Sequence, residues 1–186
     1  MSRQLAKYWI TVDEYERMGE AGIFSSDARL ELLEGSIYEL PRIRPPHAAC
    51  VTYLSMLFHR LFDRKFIVSS QDPIRLDDYS EPQPDVALLR WRDNYYRDGH
   101  PTPADVLLII EVADSTVESD RSYKMPLYAK AGIPEAWLVN LPDERIELYA
   151  EPVSGTYQTT RNFIRGEEVQ AHTIADLRVA VAEVLG

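Results

Sequence analysis

Residues 106–113 read Val-Leu-Leu-Ile-Ile-Glu-Val-Ala, and residues 85–91 read Asp-Val-Ala-Leu-Leu-Arg-Trp. Neither run alternates apolar with polar, which is how strands covered on both faces read. They are expected at the centre of a mixed sheet with helices packed on it, a layered α/β arrangement. Each run also carries a carboxylate, Asp85 or Glu111, among apolar neighbours. A buried carboxylate costs several kcal/mol, roughly, unless it is protonated, hydrogen-bonded, ion-paired or bound to a cation. A hard divalent ion suits such a pair, because Mg²⁺ takes one or two carboxylates together with waters and phosphate oxygens. The plainer readings are a strand-starting acid that caps the loop after Pro84, and a buried ion pair for Glu111.

The flanking pattern supplies the other layers. Thr11-Val12-Asp13-Glu14 has the spacing of a capping box and predicts a first helix to about Gly19. Strand-like runs at 29–33 and 36–40 flank Glu34-Gly35 as a hairpin. Pro45-Pro46 introduces a helix that buries Val51, Leu54, Leu57, Phe58, Leu61 and Phe62 and leaves His59, Arg60 and Asp63 toward water. Short strands are expected at 66–69 and 74–76, then a polar loop at 77–83. A helix over about 120–131 should end at Gly132, with Pro126 tolerable only near its first turn. Segments 135–141 and 145–151 read as a hairpin around Pro142-Asp143-Glu144, followed by a strand at 157–163. From Leu177 onward, Leu177, Val179 and Val181 fit a strand, while Leu177, Val181, Val184 and Leu185 fit a helix equally well.

No repeat or linker divides the 186 residues, so a single domain spanning 1–186 is expected. Thirty acids against twenty bases give a net charge of −10, which disfavours a regulator that grips nucleic acid through charge alone. An enzyme that meets nucleic acid locally stays open, because bound divalent cations reverse the local sign. The single cysteine, Cys50, excludes an internal disulfide and reads as a small buried hydrophobe on a helix. His59, His100 and His172 have no ligand spacing to one another or to a cysteine and are expected at the surface. No basic, apolar leader and no membrane-length apolar run is visible, so the expected location is cytoplasmic and no membrane partner is expected.

Several residues in order carry a resemblance: Glu31-Leu32-Leu33-Glu34-Gly35, Pro46-His47, Pro84-Asp85-Val86, Ile110-Glu111-Val112, Asp120 with Lys124 and Tyr128, and Gly132-Ile133-Pro134-Glu135-Ala136-Trp137-Leu138-Val139. The set spans about residues 10–150 and resembles the Uma-type restriction-endonuclease family, often labelled a domain of unknown function, within the PD-(D/E)XK nuclease superfamily. The resemblance implies a restriction-endonuclease-like fold and a metal-dependent nuclease. Its Mg²⁺ or Mn²⁺ would be held by Asp85 and Glu111, with Glu31 as a supporting catalytic carboxylate. DNA is the implied substrate, and pairing into a homodimer would let each subunit cut one strand. Ala113 departs from the superfamily pattern, which has a lysine there; Lys124 stands where this family displaces it.

Each of these residues has a plainer reading. Lys124 could be an exposed partner of Asp120, worth a few tenths of a kcal/mol, roughly. Glu31 could be an outward hairpin residue, and His47, the candidate accessory residue, could serve only backbone groups. Arg90, Arg92, Tyr95, Tyr96 and Arg97 mix cations with rings, a composition suited to unstacked bases and phosphates or to an ordinary amphipathic loop. The alternative function is a nuclease-fold domain that has lost catalysis and serves nucleic-acid binding or assembly, favoured by Ala113 and the acidic charge.

Overall fold

The computed structural model describes residues 5–61 and 65–186. The capping box forms: the Thr11 hydroxyl accepts from Glu14 N, and Glu14 accepts from Thr11 N, starting helix α1, Val12–Glu20. Strands β1, Leu30–Leu33, and β2, Ser36–Glu39, pair antiparallel around Glu34 and Gly35, which have φ of 44° and 66°. Two positive φ values at the centre of a two-residue turn match the right-handed twist of the strands it joins. Gly35 also lies against the chain at Trp9, where a Cβ would come within 2.9 Å of the Trp9 Cβ.

Helix α2, Pro45–Leu61, buries Val51, Leu54, Leu57 and Phe58, whereas Leu61 is exposed. Phe62 and Asp63 lie outside the described residues. The main sheet has the order β3-β4-β5-β6-β7-β8, from Phe66–Ser69, Val86–Arg90, Val106–Ala113, Glu135–Asn140, Arg145–Val153 and Thr156–Ile164. Only β5 and β6 pair in parallel; the other neighbours are antiparallel. The fold is therefore α/β, a mixed six-stranded sheet flanked by helices, as the unalternating runs require. Alternate residues of β5 enter different cores: Leu108, Ile110 and Val112 pack with Leu54, Phe58 and Trp137, while Ile109 packs with Met125, Tyr128 and Leu33.

The crossover from β5 to β6 begins as α3, Val117–Ser119, widens into a π-helical turn at Asp120–Lys124, and continues as α4, Met125–Lys130. It thus starts earlier than the sequence suggests. Met125 N donates to Asp120 O across the wider turn, and Pro126, which has no N–H to donate, follows inside the continuous helical run rather than in its first turn.

Residues 74–76 are not a strand, although Ile74 and Leu76 are buried as the alternation predicts. Ile74 N donates to Pro82 O and Arg75 N to Pro101 O, and a proline has no N–H to return, so no two-way ladder can form. The open choice after Leu177 resolves as both: strand β10, Arg178–Ala180, pairs with β9, Glu168–Gln170, and helix α5, Val181–Leu185, follows. Sequence periodicity missed β9, which is three residues long. Among the described residues, no helix is long and apolar enough to cross a membrane.

Gly35→Ala forces a side chain into both a left-handed backbone and the Trp9 contact. We expect a loss of about 1–3 kcal/mol in denaturant unfolding; an unchanged midpoint would mean that the turn relaxes freely.

Candidate active site

Val86 of β4 stands opposite Ile110 of β5. One step further along, Asp85 and Glu111 face each other at the same end of the sheet, and directly opposed residues project to the same face. Asp85 is fixed on three sides. Its Oδ2 accepts from Val112 N at 2.9 Å and lies 3.1 Å from His47 Nε2, and its Oδ1 accepts from Gln71 Nε2 at 3.1 Å. Burial would raise its pKa, but the His47 ring, Val112 N–H and Gln71 amide outweigh it, and the carboxyl sits below its usual range.

Glu111 is in the opposite condition. Its Oε1 accepts from Lys124 Nζ at 3.2 Å and from the Tyr128 hydroxyl, while its Oε2 takes no hydrogen bond from the described residues. Lys124 Nζ also lies 3.0 Å from Glu31 Oε2, and all three charged groups are buried. Asp120 is buried beside them and accepts from the Thr116 hydroxyl at 2.6 Å. Lys124 faces several acids at once. Burial would lower its pKa, but Glu111, Glu31 and Asp120 together raise it, so it stays charged. A single ammonium cannot neutralise all of them. Burial pushes Glu111 up to about 8 against the pull of Lys124, and Asp85, Asp120 and Glu31 push in the same direction. The Asp120 carboxyl is raised as well, chiefly by burial.

The crossover supplies these partners through its spacing. Asp120, Lys124 and Tyr128 are four residues apart, and in an unbroken α-helix each such step overshoots a full turn by about 40°. The wider π turn takes back part of that overshoot, which keeps the three side chains on one face. Arg121 points elsewhere, its Nη2 and Nε donating to Glu147 Oε1 at 2.6 Å and Oε2 at 3.0 Å on β7, and so ties the turn to the sheet.

The site opens into a cavity of about 360 Å³ lined by Glu31, His47, Asp85, Glu111, Asp120 and Lys124, with Arg29, Arg42 and Arg44 and the rings of Tyr38 and Tyr123 around it. The fold thus brings together Asp85, Glu111, Lys124, Glu31 and His47. Lys124 does not lie in an exposed pair with Asp120, and Glu31 does not face outward.

The aromatic and cationic loop is not brought there. Arg90 ends the strand that Asp85 precedes, about 16 Å away along a five-residue strand. Arg90 Nε donates to Ala104 O, Arg92 pairs with Asp105 at 2.7 Å and stacks on Tyr96, and none of Arg90, Arg92, Tyr95, Tyr96 and Arg97 lines the cavity. The cations beside the acids are instead Arg29, Arg42 and Arg44, which carry no periodic signal in sequence: Arg29 precedes β1, and Arg42 and Arg44 lie in the Pro-containing connection from β2 to α2. Tyr128 was noted only as part of a motif; its i+4 spacing from Lys124 was the available clue. Cys50 is buried, and burial pushes its thiol up to about 12, which leaves it inert.

The donor set fits a hard divalent cation: the acids outnumber the buried cation, and Glu111 Oε2 is uncommitted. The carboxylates do not close on one point, since no three acid or histidine groups of this cavity have ligand atoms all within 4.8 Å of one another. Removing the ammonium exposes this imbalance. Glu111 titrates above its unfolded value, so the stability it contributes is complete below about 4.5 and is lost as pH rises through about 8. Lys124→Met should therefore cost about 3–5 kcal/mol above pH 8 and less at pH 5, where Glu111 holds its proton. Urea unfolding at both pH values tests this, and a penalty independent of pH would contradict it.

The comparisons with known proteins bear on the family and the fold. The sequence model of the Uma2 family, described as "Putative restriction endonuclease", matches residues 12–182. No curated protein matches. Among solved structures, the chain is similar to the crystal structure, at 1.96 Å resolution, of a "putative nuclease belonging to DUF820" from Anabaena variabilis ATCC 29413. The TM-score is 0.75 at 17% identity, over 95% of this chain and 97% of the other. That likeness speaks for the fold; the family match, over most of the chain, identifies the lineage. The chain belongs to the Uma2 family of restriction-endonuclease-like proteins.

Proposed function

We propose that this chain is a metal-dependent endonuclease that hydrolyses phosphodiester bonds in DNA, with Asp85 and Glu111 holding Mg²⁺ or Mn²⁺. The observation that carries the reading is the excess of buried carboxylates at one end of the sheet, facing a cavity with arginines around it. A hard divalent ion bound there would acidify a water and offset charge on the phosphate.

The protein's own groups have separate tasks in this reading. His47, Gln71 and Val112 N–H keep Asp85 ionised and fix its orientation. The Tyr128 hydroxyl and Lys124 Nζ occupy Oε1 of Glu111, so Oε2 is the atom that would hold the ion. Glu31 holds Lys124 in place from the hairpin, so that the ammonium stands beside the acids ready to steady charge developing on phosphate. Arg29, Arg42 and Arg44 would meet the flanking phosphates and raise the local substrate concentration despite the net charge of −10.

A second reading, an inactive nuclease-fold domain serving binding or assembly, is favoured by Ala113 and by the full hydrogen bonding of both Asp85 oxygens. One set of assays separates the two readings. Supercoiled, linear and single-stranded DNA and RNA are incubated with Mg²⁺ or Mn²⁺. We expect metal-dependent cleavage of DNA, abolished in Asp85→Asn and reduced on the order of 10²–10³-fold in Lys124→Met. No cleavage of any substrate, with no Mn²⁺-linked rise in melting temperature that Asp85→Asn removes, would favour the inactive domain.

A further inference from the structure

Glu81 is a buried acid that the catalytic reading does not use. It lies in the segment between the hairpin and β4, where its N–H donates to Leu32 O at 2.7 Å and holds it against β1. Its residue surface is 4% exposed, and its Oε1 is buried with no hydrogen-bond partner among the described residues. The adjacent cation, Arg75, is committed elsewhere, 2.8 Å from Asp13 and 3.4 Å from Asp78. An unpaired carboxylate held in this way is costly and calls for a counter-ion.

Two further groups converge on it. Glu16 projects from α1 and His100 from the loop before β5, and one ligand atom from each of Glu16, Glu81 and His100 lies within 4.8 Å of the other two. His100 is held there by the main chain, since the next residue, Pro101, accepts from Arg75 N at 2.9 Å. None of the three lines the catalytic cavity.

We propose that Glu16, Glu81 and His100 form a second metal site, taking Zn²⁺ or a similar borderline divalent ion, that clamps α1 and the loop before β5 onto the segment beside β1. An imidazole nitrogen with two carboxylates suits Zn²⁺, whereas Mg²⁺ and Ca²⁺ prefer oxygen alone. Ligand atoms on a tetrahedral zinc lie about 3.4 Å apart, given bonds of about 2.1 Å. Glu16 and His100 are exposed, so their side chains can close the remaining gap onto the buried Glu81. Water completes the fourth position. The clamp joins three pieces of chain that share no strand ladder, and it braces the segment that leads through Gln83, whose N–H reaches Glu31, to Asp85.

The test uses chelator-treated full-length protein, titrated with Zn²⁺ by calorimetry and followed by thermal unfolding. It is run on the unsubstituted chain and on Asp85→Asn, which disables the catalytic site. The expected result is one Zn²⁺ per chain in Asp85→Asn, with a rise in melting temperature that Mg²⁺ does not reproduce. In the Asp85→Asn background, His100→Ala, a change at an exposed residue that leaves the fold intact, should remove the Zn²⁺-induced rise. Glu81→Gln should abolish the same response and raise the melting temperature of the metal-free protein, because an uncompensated charge is gone. No Zn²⁺-linked rise in Asp85→Asn, or a rise that survives there in both His100→Ala and Glu81→Gln, would overturn the proposal.

Discussion

The structure around the cavity depends on the charge balance at Lys124. One ammonium is buried among Glu31, Glu111 and Asp120, with Asp85 across the strand pair, and these groups come from a hairpin, two sheet strands and a crossover helix. Burial of so many acids around one base is unfavourable for stability taken alone, because desolvation is not repaid by a single partner. The protein answers in two ways. Asp85 is kept ionised by hydrogen bonds, whereas Glu111 is pushed up to about 8. The two opposed carboxylates are thus driven in opposite directions by their surroundings.

The geometry that makes this cluster follows from two constraints on backbone. Antiparallel register between β4 and β5 places Asp85 across from Glu111 and decides the face to which both project. The parallel pairing of β5 with β6 demands a crossover, which returns along that same face as α3, the π turn and α4. The wider turn accommodates Pro126 and at the same time aligns Asp120, Lys124 and Tyr128. Lys124 thereby reaches Glu111 from the helix, at 3.2 Å. Arg121, gripping Glu147 on β7, anchors the turn against rotation.

Much of the architecture was legible because it rests on local signals. The capping box at Thr11 and Glu14, the Glu34-Gly35 turn, the apolar stripe of α2 and the unalternating β5 each report a short-range preference that the fold respects. The errors arise where a partner decides. Ile74 and Leu76 have strand spacing but face prolines that cannot return a hydrogen bond. The crossover starts before the sequence suggests, since its first turns are fixed by Thr116 and Asp120 rather than by an apolar stripe. After Leu177 two periods overlap because a strand passes directly into a helix.

The sequence by itself determined that two acids, Asp85 and Glu111, would stand among the apolar residues of central strands. Through its resemblance it also pointed to Glu31, His47 and Lys124. Only the tertiary structure decided which groups meet. It turned Lys124 inward to Glu31 and Glu111 and set the aromatic loop at the far end of β4. It also drew His100, which has no ligand spacing in sequence, to Glu16 and Glu81. The physical reason is that burial and period act over a few residues, whereas charge balance is settled between segments far apart in the chain, by strand register and crossover geometry that local sequence does not encode.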